Sequence, residues 1–562
     1  MVIKINRFQK YFFNGLLLSL AAITMRSIAV SFNVFVTGRV GAEGMGLLNL
    51  TQTVYGFAIT LATSGINLAV VRLVSGALPY GNENYFDEKA DRRVHKIMTN
   101  ALLYCLFFSL LASLLLYSGA NAIGIRALGD KRTIPSLKIL AFTLTPISLS
   151  SALNGYFNAV RRVYKSVIVQ FCEQGAKITV VSALLVLIGP KGLEYACVAV
   201  VAGGAISEAV CVIISATLYF FDRRIHKNLK FNISKCENTN TPLPFFNVKE
   251  VKKGCFLSFK KSKSKVTEKN SIITIALPVA VSAYVRSALL TIEHLAIPWG
   301  LKRSGASASE ALSSYGVLHG MVFPILLFPS AVLSSFASLL IPELSAAQEQ
   351  GDKKQIKNIV SKVFTYSLIF GIGVSGIFVC YANELGQYIY SNSEASEFIK
   401  LLAPLIPLMY LDTAVDSMLK GLGEQLYTMR VNIADAFMSV LLVITLLPSM
   451  GINGYVIVIF LMELFNTSLS IIKLLNVTKI KTPVLHWVIK PLICIIISTA
   501  LTKLLFSFDC IYNPLEKMFN QKAIFFIEIF ICAMIYLLFA KLFYKKRLAH
   551  ALEIKTKNGL SC

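Results

Sequence analysis

Apolar and polar residues along this chain come in blocks. About fourteen apolar stretches, each near the 20 residues needed to cross a bilayer, alternate with short polar connections. They lie near 12–36, 46–71, 98–118, 134–157, 164–188, 193–220, 271–298, 311–341, 360–381, 398–419, 427–447, 452–475, 484–506 and 522–543. Backbone groups in lipid must be satisfied within the segment, so the blocks predict helices. The alternation of a β-barrel strand is absent. One connection is long: residues 222–270 carry 13 Lys and Arg against 4 Asp and Glu, ending in "KKSKSKVTEKN". The pattern predicts an N-lobe at 1–221, a basic cytoplasmic linker at 222–270, a C-lobe at 271–480, and two more spans with a basic tail at 481–562. The linker reads either as a solvated loop that fixes topology or as a patch drawn to anionic headgroups, worth about 1 kcal/mol per basic residue.

The two lobes resemble each other. "MRSIAVSFNVFV" at 25–36 parallels "VRSALLTIEHLA" at 285–296, which sets Arg26 on Arg286 and Asn33 on Glu293. At nearly the same offset Pro146 meets Pro407, and Gln170 and Glu173 meet Asn432 and Asp435. This predicts a duplication of six spans. An even number of spans makes both copies enter from the same side, so a pseudo-two-fold along the membrane normal should relate them. The expected fold is an all-α polytopic membrane protein: two six-helix lobes plus two C-terminal helices.

Composition agrees: 55% of residues are hydrophobic, 15% charged, and the mean hydropathy is +0.65. The net charge of +25 would suggest nucleic acid in a soluble protein. Here its placement explains it. With the N-terminus in the cytoplasm, about 39 Lys and Arg fall on the cytoplasmic side and about ten on the other. That supports N-in, C-in insertion in the cell membrane and no nucleic-acid partner. The 11 Cys are scattered and form no CxxC pair, so they read as small buried residues. The basic start (Lys4, Arg7, Lys10) looks like a signal peptide, but the apolar run after it is too long and contains Arg26; it reads as the first retained span.

Arg26 is the chemical puzzle. It stands in the middle of "LLLSLAAITMRSIAVSFNVFV", and Arg286 has the same place in its own span. A central Arg costs about 2.5–3.5 kcal/mol on insertion scales and does not deprotonate to escape. Either the two arginines line a polar cavity, or each is neutralised by a carboxylate as structural glue. Glu293, seven residues after Arg286, is an available acid. Other polar residues also keep to one helix face: Gln170, Glu173 and Lys177; Asn432, Asp435 and Ser439; Asp412 and Asp416, then Lys420. Glu173–Lys177 and Asp416–Lys420 have the spacing of local ion pairs. The candidate cavity set is Arg26, Arg286, Asn33, Glu293, Gln170, Glu173, Asn432, Asp435 and Asp412. Pro146, Pro278, Pro324, Pro329, Pro404, Pro407 and the "GMG" at 44–46 predict kinks.

The hairpin "FNVFVTGRVGAEGMGLLNLTQTVYGFAITLATSGINLAVVRLVSG" (32–76), with a turn from Gly41 to Gly46, resembles the stage V sporulation protein B-like polysaccharide flippases. These are part of the multidrug/oligosaccharidyl-lipid/polysaccharide exporter superfamily. "SSALNGYFNAVRRVYKSVIVQFCEQGAKI" (150–178) and "AAQEQGD" (346–352) fit the same family. The resemblance implies two six-helix lobes around a central cavity and transfer of undecaprenyl-linked sugars to the outer leaflet. Partners would be a lipid-linked anionic saccharide, membrane lipids and cell-wall synthesis enzymes. It also implies that arginines of the first span and of the start of the C-lobe make the cavity cationic; by position these are Arg26 and Arg286, with Arg39 and Arg72 at span ends. The 222–270 linker departs from the lipid II flippase pattern. No cofactor is implied, and the coupling ion stays open between proton and sodium. The competing class is a cation-coupled multidrug exporter, which needs acids such as Glu173, Asp412 and Asp435. An enzyme would need an external domain, an acidic metal motif or a phosphate-cradling loop; outer connections of at most about 15 residues hold none.

Overall fold

A computed structural model gives the architecture. It describes residues 7–557 apart from 64, 78–87, 161, 240–271, 481–484, 509–513, 515 and 517. Helices dominate and no strand occurs among the described residues. They are α1 (Arg7–Thr63), α2 (Ile66–Ala77), α3 (Glu88–Ala122), α4 (Ile134–Ala159), α5 (Val163–Ile188), α6 (Leu193–Thr239), α7 (Ile272–Arg303), α8 (Ala308–Gly316), α9 (Ser330–Glu349), α10 (Lys353–Cys380), α11 (Ser393–Leu402), α12 (Ile406–Gly421), α13 (Gln425–Thr478), α14 (Lys490–Phe506) and α15 (Gln521–Lys557). Among the described residues, eleven helical segments are long and apolar enough to cross a membrane. Two of them, Leu20–Thr63 and Gln425–Thr478, are double length, and a glycine breaks each. Gly41 (φ 75°, ψ 178°) and Gly451 (φ 60°, ψ −141°) adopt backbone angles that a Cβ would forbid.

Two details differ from the sequence expectation. The hairpin of 41–46 turns at Gly41 alone, and the helix resumes at Ala42. Gly44 and Gly46 do not interrupt it; they let neighbouring segments approach its backbone. Helix α6 runs on through Thr239, into the segment expected as linker. The rest of that segment lies outside the described residues. The prolines act as expected where they cluster. Pro404 sits in a tight turn at 403–405 that divides α11 from α12, and Pro324 opens a five-residue helix between α8 and α9.

The chain forms two compact units: residues 1–53, 189–197 and 288–562 in one, 54–188 and 198–287 in the other. In the second unit α4 packs between α2 and α3. Its core takes Ile66, Val70 and Val74 from α2, Met98, Ala101 and Cys105 from α3, and Leu153, Tyr156 and Phe157 from α4. The three- and four-residue spacing of these positions is the core face of each helix. In the first unit α12 is central, packed by α9, α10 and α13. Tyr410 on α12 is fully buried and donates to the carbonyl of Leu326 at 2.6 Å. The last two helices belong to the same unit. Tyr536 of α15 covers Gly373 of α10 and donates to the Ile369 carbonyl at 2.6 Å.

Candidate substrate-binding site

A guanidinium in the middle of a span is the costliest group a membrane helix carries. Arg26 lies midway along the first arm of α1, in the first unit, and its side chain is exposed. It is within electrostatic reach of Tyr410. Arg286 is on α7 and exposed, in the second unit, one residue before the boundary at Ser287. Neither pairs with a carboxylate among the described residues. Glu293, the acid that glue would require, is engaged elsewhere: the Ser439 hydroxyl of α13 donates to its Oε1 at 2.7 Å.

The remaining candidates fall into two sets. In the first unit, Asp435 lies within electrostatic reach of Glu293 and of Glu463, and Glu463 is within reach of Asp412 as well. Amide and hydroxyl groups thread between them. Asn466 Nδ2 is 3.4 Å from Asp412 Oδ2, and Thr467 donates to Glu463 at 3.0 Å. Asn432 is half-buried on the same helix as Asp435. Asn33 is half-buried on α1 and accepts from the Thr37 hydroxyl at 3.1 Å. In the second unit, Glu173 of α5 meets Glu208 and Cys211 of α6, with their ligand atoms all within 4.8 Å of one another. Ser150 of α4 lies 3.1 Å from the Cys211 sulfur. Gln170, one turn before Glu173, is exposed.

Of the two local ion pairs, one forms as spaced: Lys420 Nζ is 3.7 Å from Asp416 Oδ2. For Lys177 the carboxylate in electrostatic reach is Glu208, across to α6. Sequence reading missed a buried hydrogen-bonded set in the first unit. His294 Nδ1 is 2.8 Å from the Tyr315 hydroxyl, His319 Nε2 is 2.9 Å from the Tyr455 hydroxyl, and the imidazoles stand 4.7 Å apart. Tyr315 and His319 are four residues apart, one helical face, and that spacing was the available signal. It also missed Asp222, buried between Arg162 and Lys165 at the turn from α4 to α5. Only tertiary structure brings that carboxylate, 57 residues after Lys165, to the turn.

Helix lengths and apolar composition together define a multi-pass helical membrane protein. Over 95% of this chain and 100% of the other, it shares the fold of the lipid II flippase MurJ in an inward closed conformation, with a TM-score of 0.64 at 13% identity. It also shares the fold of an inward-facing multidrug resistance MATE family transporter of the MOP superfamily, with a TM-score of 0.57 over 82% of this chain and 99% of that one, at 13% identity. Residues 13–240 match the family model described as polysaccharide biosynthesis protein. The chain is 26% identical to stage V sporulation protein B of Bacillus subtilis (strain 168) over 79% of each chain. The resemblance read from the first hairpin is borne out.

Proposed function

We propose that this protein is a flippase for a lipid-linked anionic saccharide, an undecaprenyl-pyrophosphate-linked precursor of peptidoglycan or another polysaccharide. It acts by alternating access in the cytoplasmic membrane, with both termini in the cytoplasm. One observation carries this reading. Arg26 and Arg286, which the sequence alignment of the two halves sets on one another, are exposed mid-helix and lack a carboxylate partner among the described residues. Arginine recognises phosphate by planar, bidentate hydrogen bonds that strengthen in a low dielectric. A pyrophosphate headgroup would offset the insertion cost of Arg26 and Arg286 when it binds, while its polyprenyl tail stays in the bilayer.

The span count proposed is fourteen. Each double-length helix contributes two crossings, and α7, which is not among the eleven segments, contributes one. The similarity to a stage V sporulation protein supports a place in cell-wall or spore-cortex synthesis, beside the enzymes that make and consume the precursor. The carboxylates around Asp435 support coupling to protons or sodium.

The test is headgroup transfer in proteoliposomes with a fluorescent undecaprenyl-pyrophosphate disaccharide, read by an impermeant quencher. Arg26→Ala and Arg286→Ala should insert at normal levels and lose transfer. Transfer at the wild-type rate by both variants would refute the proposal. Dye efflux separates it from the multidrug alternative: a cationic dye should not be exported, since two central guanidiniums repel it.

A further inference from the structure

Where α5 runs beside α6 in the second unit, a thiol and two carboxylates converge. Glu173 comes from α5, Glu208 and Cys211 come from α6, and their ligand atoms all lie within 4.8 Å of one another. The neighbouring helices hold this set in register. Val181, two turns after Glu173 on α5, meets Gly203, two turns before Cys211 on α6. A Cβ on Gly203 would stand 2.9 Å from the Val181 Cα, so the α6 backbone lies against α5 there. From α4, Ser150 lies 3.1 Å from the Cys211 sulfur. Tyr55 of α1, whose hydroxyl is bonded to Thr143 of α4, is within electrostatic reach of both carboxylates. Cys211 is 3% exposed, whereas Glu173 and Glu208 are half-buried, so the group opens on its carboxylate side.

A buried hydroxyl points to the same place. Ser215 lies four residues after Cys211 on the same face of α6 and is fully buried, and its Oγ has no hydrogen-bond partner among the described residues. Helical side chains lean toward the helix N-terminus, so Ser215 leans back over the Cys211 turn. Leaving a buried hydroxyl unbonded is costly. A thiolate or a metal-bound water beside it would supply the missing partner. Lys177, within electrostatic reach of Glu208, is the competing arrangement. One ammonium can satisfy one carboxylate, but the set offers two carboxylates and a thiol. We infer that Glu173, Glu208 and Cys211 form a binding site for a borderline divalent transition metal such as zinc, which ties α5 to α6. The donor set selects the ion. Hard cations are held by oxygen, whereas zinc accepts a thiolate together with carboxylates in a tetrahedron, with water in the fourth position. Ligand atoms around one tetrahedral zinc stand about 3.5 Å apart, so side-chain rotations of about 1 Å close the present set. The inference goes beyond the transport reading and does not depend on it.

The test uses the purified full-length protein in micelles, stripped by a chelator and titrated with Co2+. Bound in this site, Co2+ should give a thiolate charge-transfer band in the near ultraviolet and tetrahedral ligand-field bands in the visible, and Zn2+ should bleach both. Cys211→Ser should lose the charge-transfer band. Cys172→Ser, which removes the exposed thiol flanking Glu173, should keep it. Glu173→Gln and Glu208→Gln preserve side-chain shape and should weaken Zn2+ by about tenfold or more, read by competition with a chromophoric chelator. A measurement on the unmutated chain guards against a variant that does not fold. X-ray absorption of the zinc-loaded protein should show one sulfur at about 2.3 Å among oxygens at about 2.0–2.2 Å. A shell of nitrogen or of several sulfurs would overturn the inference. So would a charge-transfer band that survives Cys211→Ser, or displacement of Co2+ by excess sodium. Wild-type protein that takes up no Co2+ would show that Lys177 already satisfies the group, and the site would fall.

Discussion

Asp222 offers the clearest stability test. Its side chain is 1% exposed, and both the Arg162 guanidinium and the Lys165 ammonium bond to its Oδ1. The cations sit on the turn from α4 to α5, where the Arg162 amide donates to the Phe157 carbonyl at 2.9 Å and the Lys165 amide to the Arg162 carbonyl at 3.0 Å. The carboxylate comes from α6, so the cluster ties that turn to a distant helix. Lys165 is itself 9% exposed, and Arg162 is 20% exposed. Asp222→Ala removes the carboxylate that both cations bond and leaves them facing each other, largely buried. Breaking a buried pair in this way costs about 3–5 kcal/mol. Lys165→Met keeps the buried stem and leaves Arg162 paired with Asp222. It should cost less, about 1.5–3 kcal/mol, the worth of one charged hydrogen bond. Replacing all three residues with apolar ones of similar volume should come close to the wild type. Equilibrium unfolding of purified protein in mixed micelles measures each difference. The reasoning fails if Asp222→Ala unfolds with the wild type, or if Lys165→Met is the more damaging change.

Three further outcomes follow from single contacts. Gly155→Ala should destabilise the second unit by about 1–3 kcal/mol, because the new methyl meets the Asn67 carbonyl and Val70 at 3.1 Å. Gly175→Ala, with open space around its Cβ, should be neutral or stabilise by about 0.5–1 kcal/mol, and the same unfolding assay compares the two. Arg26→Lys and Arg286→Lys should transfer the lipid-linked disaccharide more slowly than wild type but faster than the alanine variants, because an ammonium keeps the charge and loses the bidentate fork. Lysine variants with full activity would show that charge alone suffices.

The helices were legible in the sequence because each apolar block is long and most breaks are marked by Gly or Pro. Gly451 fell between two predicted spans, and the doublet Pro404 and Pro407 separated α11 from α12. The hairpin at 41–46 was less legible. Three glycines compete there, and composition does not say which one leaves the helix and which two receive a neighbour's backbone. For Arg26 and Arg286 the cost of a central guanidinium left two readings open, a polar cavity or a carboxylate partner, and the sequence alone did not choose between them. The partners of the acids were not legible either. Lys177 lies four residues after Glu173, yet its influence reaches Glu208 of the next helix. The His294–Tyr315 and His319–Tyr455 bonds were hidden for the same reason: both join residues whose neighbours depend on how three helices pack.

On α7, Arg286 and Glu293 stand seven residues apart, which puts them on one helical face about 10 Å apart along the axis. At an effective dielectric near 20, opposite charges at that separation attract by about 1.7 kcal/mol. That is less than the 2.5–3.5 kcal/mol or so that a central arginine costs. Glu293 therefore does not cancel Arg286, and its bond to Ser439 at 2.7 Å gives it work inside its own unit. The two roles separate by substitution. Glu293→Gln keeps an acceptor for the Ser439 hydroxyl, so stability should hold. Glu293→Ala leaves that buried hydroxyl unpaired and should cost about 1–3 kcal/mol. If Glu293 neutralised Arg286, Gln and Ala would harm the protein alike, because both remove the charge. Equal losses of stability in the two variants would return Arg286 to the status of structural glue and remove one of the two guanidiniums on which phosphate recognition depends.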